Sequence, residues 1–442
     1  MRMVSWRNVL GILLLAIAAP SGLAQSITLA EAAKKGDCSH IRLHMELSGD
    51  MQATKDGKQA PLKLTASAAH DFVQKVLETS DKGLPNKAAC VFEQAKATIT
   101  VGSEKTDKAL RSQRKLIVSQ RFKDQPLSYC PLGPLTHEEL ELVGERFDTL
   151  ALAGLLPGKS VATGDTWKLA NSVVQALCSF EGLTEQSLAG KLVKKKDNIA
   201  EVTITGTASG IDLGAQVKVK VDAILGFDVK TNRIVTLDWT QEDDREQGPA
   251  SPATKIKAVT KMERAAVATP ESLSDAALVS VPDNFEPPAK MTYLEYHDLK
   301  SRYDLAYARE WQIVGQTSEH LILRFMERGD FIAQVTLTPW TSAAKGKHLS
   351  AEEFKDAMAR TPGWEPENEL QAGEVPTDDN RWIYRLSAQG KMDDETVVQN
   401  FFLVAGPDGD QVVLAFIMTP KQADRLGTRD LSLAGSLGFP KK

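Results

Sequence analysis

His137-Glu138-Glu139-Leu140-Glu141 opens like the helical H-E-x-x-H pattern, in which two histidines four residues apart hold zinc and the glutamate serves as base. Glu141 stands where the second histidine belongs, so two imidazoles cannot meet on one helical face. Residues 153–160 read A-x-x-x-x-G-K-S, one residue away from a phosphate-cradling loop. Ala153 replaces the first glycine, and Pro157 interrupts the loop. Downstream lie Gly164-Asp165 and a strand centred on Trp167, not a helix N-terminus to receive phosphate. Gly206-Thr207-Ala208-Ser209-Gly210 places its serine one position too late for a nucleophile elbow and reads as a turn at a strand end. His40 and His44 share the polar face of a strand but stand about 13 Å apart along it, too far for one metal. Cys38 and Asp37 are nearer to His40, but no distant second cluster completes a zinc site. Cys178 has neither a helix N-terminus nor a neighbouring histidine to activate it. The expectation is a chain without a catalytic centre, cofactor or metal.

Two other sets of residues invite a structural or binding role. Cys38, Cys90, Cys130 and Cys178 all lie in the first half of the chain. In an exported protein an even number permits two disulfides with three pairings; the sequential closures Cys38–Cys90 and Cys130–Cys178 are favoured. The other reading is four buried free thiols. Trp340 and Trp364 fall on loops with Pro339, Pro362 and Pro366. Exposed there, they would offer a contact surface for sugar or peptide. Alternatively, they cap the ends of a second core.

The address matters to all of these. Residues 1–24 combine Arg2 and Arg7, a short apolar run, the breakers Pro20 and Gly22, and small residues before Gln25. This is the anatomy of a secretory signal peptide cleaved after Ala24, so a secreted or periplasmic protein is expected. No cysteine follows the leader, so no lipid anchor is expected there, nor any transmembrane segment in the mature chain. A net charge of −5 argues against nucleic acid or anionic lipid as a bulk electrostatic partner.

The elements that must position these residues are mostly strands. Thr28-Leu29-Ala30-Glu31 is a capping-box pattern that predicts a short helix ending at Gly36. Alternation predicts strands over 41–48 and 62–69, joined by a turn at Asp56-Gly57. Further strands are expected over 91–101, 115–121, 165–171, 188–194, 200–209, 215–225, 233–241 and 254–264. A helix should open at Thr136 and run to about 152. Short turns between successive strands predict an antiparallel meander. Residues 265–290, with Pro270, Pro282, Pro287 and Pro288, read as a linker. The second unit, 291–442, reads as strands, a helix capped by Ser350, more strands with a Gly406-Pro407-Asp408-Gly409 turn, and a closing helical segment.

Tyr303-Asp304-Leu305-Ala306-Tyr307 leading to Trp311, the strand over 331–339, and residues 401–418 with their turn and Thr419-Pro420 exit make this second unit resemble the fold of the PsbP extrinsic photosystem proteins and their bacterial lipoprotein relatives. That resemblance implies a binding and scaffolding fold without a common active site. Residues 40–264 are similar to a bacterial exported domain of unknown function through Leu156-Pro157-Gly158-Lys159-Ser160-Val161-Ala162-Thr163-Gly164-Asp165-Thr166-Trp167 and Gln247-Gly248-Pro249-Ala250-Ser251-Pro252. The expected fold class is α+β in two domains. The first, over 25–264, would be rich in antiparallel sheet; the second would be a PsbP-like αβα sandwich. The expected role is non-catalytic binding or scaffolding in the bacterial envelope, with an unknown envelope protein as partner. The alternative is a periplasmic carrier of a small apolar ligand such as a lipid, held on the concave face of the first sheet.

Overall fold

A computed structural model describes residues 26–55, 58–81, 83–122, 125–144 and 147–440. The expected leader and the turn at Asp56-Gly57 lie outside these residues. The protein is mostly β, not α+β: strand makes up 55% of it and helix 13%. The reason is that the first unit builds its core from one very large curved sheet, and its helices are short plugs. The longest described helix, Ala351–Ala359, has 9 residues.

The large sheet is antiparallel throughout and has thirteen strands. In chain order these are β1 (Cys38–Lys55), β2 (Lys58–Thr79), β3 (Pro85–Val101), β4 (Glu104–Ala109), β5 (Leu116–Phe122), β6 (Gln125–Tyr129), β7 (Thr166–Lys168), β8 (Gly182–Gln186), β9 (Ala189–Lys196), β10 (Ile199–Asp212), β11 (Ala215–Asp228), β12 (Arg233–Arg245) and β13 (Thr254–Ala266). Their spatial order is β7-β9-β10-β11-β12-β13-β1-β2-β3-β5-β6, with β8 beside β10 and β4 beside β3. β11 shows why the strands form: Val217, Val219, Val221, Ala223 and Leu225 point inward, while Gln216, Lys218, Lys220 and Asp222 point to water. β1 and β2 are 18 and 22 residues long, well beyond the alternation that announces them.

The concave face is covered over part of its length by α1 (His137–Val143), a 3-10 turn at Thr149–Leu155 and α2 (Asn171–Leu177). α1 opens with the expected reciprocal capping box of Thr136 and Glu139 but stops at Val143. The capping pattern at Thr28 forms no helix. Ile27–Leu29 is a strand paired with Lys159–Val161, because Ile27 and Leu29 alternate inward, and Glu31 instead takes Arg264 and the Ile234 N–H.

The second unit centres on an antiparallel sheet of β14 (Trp311–Gln316), β15 (Leu321–Glu327), β16 (Asp330–Trp340), β17 (Trp364–Val375), β18 (Trp382–Met392), β19 (Glu395–Ala405) and β20 (Gln411–Met418), ordered β14-β15-β16-β20-β19-β18-β17. Both faces are buried. Phe401, Leu403 and Val413 meet α3 (Ala351–Ala359) through Phe354 and Met358. Phe402, Val404 and Leu414 face the other way, into a core continuous with that of the first unit, beside α4 (Pro420–Leu426) and α5 (Arg429–Gly435). Short helices thus pack on both faces of this sheet, but sheet dominates the chain as a whole.

A small sheet joins the units: Leu135–Thr136 runs parallel to Leu294–His297, which pairs with Asp304–Tyr307 and, through it, Leu437–Gly438. Arg111 bridges Glu139 and Glu295 there, at 2.5 Å each. The proline-rich stretch lies along the outer face of the large sheet: Lys75, Lys87 and Gln120 donate to the carbonyls of Leu273, Pro282 and Phe285. Leu273 is fully buried against Ala89 and Leu116.

Candidate functional site

The hydrogen-bonded register lays inward side chains in rows across the large sheet. One row is Ala223, Trp239, Thr260, Met45, Ala68 and Ala97; the next is Val221, Gln241, Ala258, Leu47, Ala66 and Ile99; a third is Val219, Asp243, Ile256, Gly49, Leu64 and Val101. A side chain at Gly49 would run into the Lys255 carbonyl, so β1 and β13 approach more closely there than any Cβ allows. Below these rows Leu225, Leu237, Met262, Leu43, His70 and Ala95 form a fully buried one. Leu142, Phe147 and Phe180 cover that inner end, and the Phe147 ring meets Trp239 edge-on at 5.6 Å. Toward the outer end Met45, Leu47, Leu64, Ala66, Ile99 and Ile256 stay half-exposed. The result is an apolar trough enclosing a cavity of about 470 Å³.

Its polar lining is mostly engaged internally. Arg245 pairs with Asp212. Lys108 and His137 each hold Glu141, at 3.2 Å. Burial pushes the Glu141 carboxyl up, but His137 and Lys108 outweigh it and bring it down to about 2. The residues of the near-zinc motif therefore neutralise each other as an i,i+4 pair. Burial, and then Asp243, push the Cys178 thiol well up. Burial drives the His70 imidazole down to about 4 against the pull of the Leu142 carbonyl.

Cys178, Asp243 and His70 line one cavity. Asp243 on β12 and His70 on β2 are three strand spacings apart, about 14 Å along the sheet. The thiol is held protonated and the imidazole neutral, the reverse of an activated thiolate–imidazolium pair.

The other candidates disperse. His40 bonds Asp71 at 2.5 Å and His44 lies 3.3 Å from Glu46; among the described residues no group of three ligands could hold a metal. Residues 153–160 run from the 3-10 turn through Gly158, whose N–H bonds the Leu29 carbonyl, into the Lys159–Val161 strand. Gly206 to Gly210 lies within β10 and not at its end, and a Cβ at Gly206 would collide with Leu188.

The expected disulfides are absent: none of Cys38, Cys90, Cys130 and Cys178 is disulfide-bonded, and all four are buried. The register gives the reason. Cys38 pairs with Lys75, and Lys75 with Ala89, so Cys90 lies two strands away and on the opposite face. That is about 10 Å, beyond disulfide reach. Denatured without reductant, the protein should titrate as four thiols per chain; a count of two or fewer would contradict this arrangement.

Trp364 is buried against Phe401 and offers no contact surface, because β17 begins at it and turns it inward. Trp340 ends β16 half-buried against the same cluster.

What the sequence reading missed is the trough's polar lining. Gln241, Asp243 and Arg245 continue the inward parity of Trp239, but both faces of that stretch are polar, so the alternation disappears. His70 continues the parity of Leu64, Ala66 and Ala68 toward Phe72, a signal that was available.

No protein-family model matches the chain, and no curated protein does. The likeness of residues 40–264 to an exported domain of unknown function thus stands without support. Among solved structures the chain is similar to cyanobacterial PsbP of Synechocystis, with 14% identity over 36% of this chain and 98% of that one and a TM-score of 0.28. It is similar to a Ran-binding protein of Saccharomyces cerevisiae, with 11% identity over 33% of this chain and 95% of that one and a TM-score of 0.26. It is also similar to lipovitellin, with 10% identity over 54% of this chain and 26% of that one and a TM-score of 0.29. Each is a partial likeness of shape and assigns no role.

Proposed function

We propose that this is a non-catalytic binding protein that carries a small apolar ligand in the trough of its large sheet. The observation behind the reading is the cavity itself: about 470 Å³, bounded by aliphatic side chains and left half-open at its outer end. Small-molecule sites span about 300–1,000 Å³ and are predominantly apolar with a few polar groups, which fits this lining. Each half-exposed aliphatic residue costs free energy against water, about 25 cal/mol per Å² of apolar surface, which a ligand would recover. A purely scaffolding role gives no reason to keep such a surface concave. The leader pattern of residues 1–24 supports an exported, periplasmic or secreted, site of action. No described helix is long and apolar enough to cross a membrane.

Native mass spectrometry of the gently purified protein should show a bound species that organic extraction removes. N-phenyl-1-naphthylamine should then fluoresce on binding the emptied protein. Ala66 sits mid-trough, so Ala66→Trp should weaken this probe at least tenfold with the circular dichroism unchanged. A protein that carries nothing and does not bind the probe would overturn the reading, as would an Ala66→Trp variant that binds it equally well.

A further inference from the structure

Resting on the trough as the ligand site, we infer that its ligand is a neutral amphiphile with a terminal hydroxyl, inserted hydroxyl first, and that His70 Nε2 accepts that hydrogen bond. His70 is the one polar residue in the innermost row, 6% exposed among Leu225, Leu237, Met262, Leu43 and Ala95. It lines the cavity, and its Nε2 is buried without a hydrogen-bond partner. The Leu142 carbonyl bonds the imidazole, and because Nε2 has no partner we assign that bond to Nδ1. A carbonyl only accepts, so on this assignment Nδ1 carries the proton and the neutral ring leaves Nε2 as a lone pair. The Phe92 ring, edge-on at 5.8 Å, fixes the imidazole plane but supplies no donor. Buried polar atoms in folded proteins are nearly always satisfied, and the open side of this one is the cavity.

The charge of the lining selects against an anionic head. Lys108 and Arg245 are its two cations, and they are taken up by Glu141 and Asp212. Asp243 is a third carboxylate in the same lining, against those two cations. A carboxylate or phosphate would meet a lone pair in a lining with more carboxylates than cations. A hydroxyl donates to Nε2 and leaves its chain along the aliphatic rows toward the half-open end.

Displacement of N-phenyl-1-naphthylamine at pH 7.5 by 1-dodecanol, its methyl ether and dodecanoate tests this. The alcohol should bind about fivefold more tightly than the ether, as one net hydrogen bond supplies, and dodecanoate should be weakest. His70→Phe should abolish the alcohol's advantage and leave the ether within about twofold. In wild-type protein labelled with 15N-histidine, saturating 1-dodecanol should shift the Nε2 resonance of His70; this readout stands even where the variant fails to fold. Equal affinities for alcohol and ether, an advantage that survives His70→Phe, tighter dodecanoate or an unmoved resonance would each overturn the inference. If the naphthylamine probe itself does not bind, the carrier reading falls; if it binds and the ether displaces it as well as the alcohol, only the hydroxyl inference falls.

Discussion

Between pH 6.5 and pH 4 the protein is expected to lose about 3 kcal/mol of stability through His70 alone. Its imidazole titrates near 4 in the folded chain, against 6.5 when unfolded, because burial disfavours the charged ring. The unfolded chain therefore binds the proton first. The stabilisation is complete above pH 6.5, falls as the pH drops through that window, and is exhausted near pH 4, at about 1.4 kcal/mol per unit. His137 and His297 act in the opposite sense, since hydrogen bonds to Glu141 and Asp304 hold their imidazoles up, so both stabilise the fold on acidification. Glu141, with its carboxyl near 2, contributes only below the ordinary glutamate range. The diagnostic quantity is therefore the difference between wild type and His70→Phe in urea melts at pH 7, 5.5 and 4.5. The wild type should lose stability relative to the variant at each step down. Parallel profiles would show that His70 is not held neutral by burial.

Asp430→Ala is expected to cost about 3–5 kcal/mol, as breaking a buried ion pair from one side does. Asp430 opens α5 fully buried. Its carboxylate accepts from Arg385 at 3.0 Å, from Asn400 at 2.8 Å and from the Leu431 N–H at 2.7 Å. Asn400 in turn accepts from Ser387 at 2.6 Å, and the Arg385 guanidinium lies over the Phe402 ring at 5.6 Å. Removing the carboxylate leaves the part-buried Arg385 guanidinium with Gln371 alone, strands the buried Asn400 amide and loosens α5 from β18 and β19. Asp430→Asn, which keeps the acceptor oxygen, should cost less. Guanidinium melts followed by tryptophan fluorescence would read both; a loss below about 1 kcal/mol for the alanine variant would mean the network contributes little.

The strands of the large sheet were legible because their cause is local. Val217 to Leu225 alternate with lysines and acids, and that period admits one conformation with one dry face. The capping boxes at Thr136 and Ser350 close over four residues and form as written. The identical cue at Thr28 failed because Ile27 and Leu29 gain more by pairing with Lys159–Val161, a partner more than a hundred residues away. β17 escaped notice because it is a polar edge strand carrying Pro366 and seven successive exposed residues. The pairing of the cysteines failed for a geometric reason: parity and strand order, not separation along the chain, put Cys38 and Cys90 on opposite faces.

By itself, the sequence determined that much of this chain forms antiparallel strands and that its near-motifs lack the residues their chemistry needs; the α+β class it suggested gave way to a mostly β chain. Those properties reside in neighbours a few residues apart, where alternation, spacing and composition act directly. Only the tertiary structure decided that the first sheet curls into a trough, that β12 turns Gln241, Asp243 and Arg245 into it, and that His70 sits at its closed end with an unsatisfied nitrogen. Curvature and register are set by contacts between strands far apart in the chain, such as Gly49 against Lys255. A one-residue change of register would turn the same histidine to water.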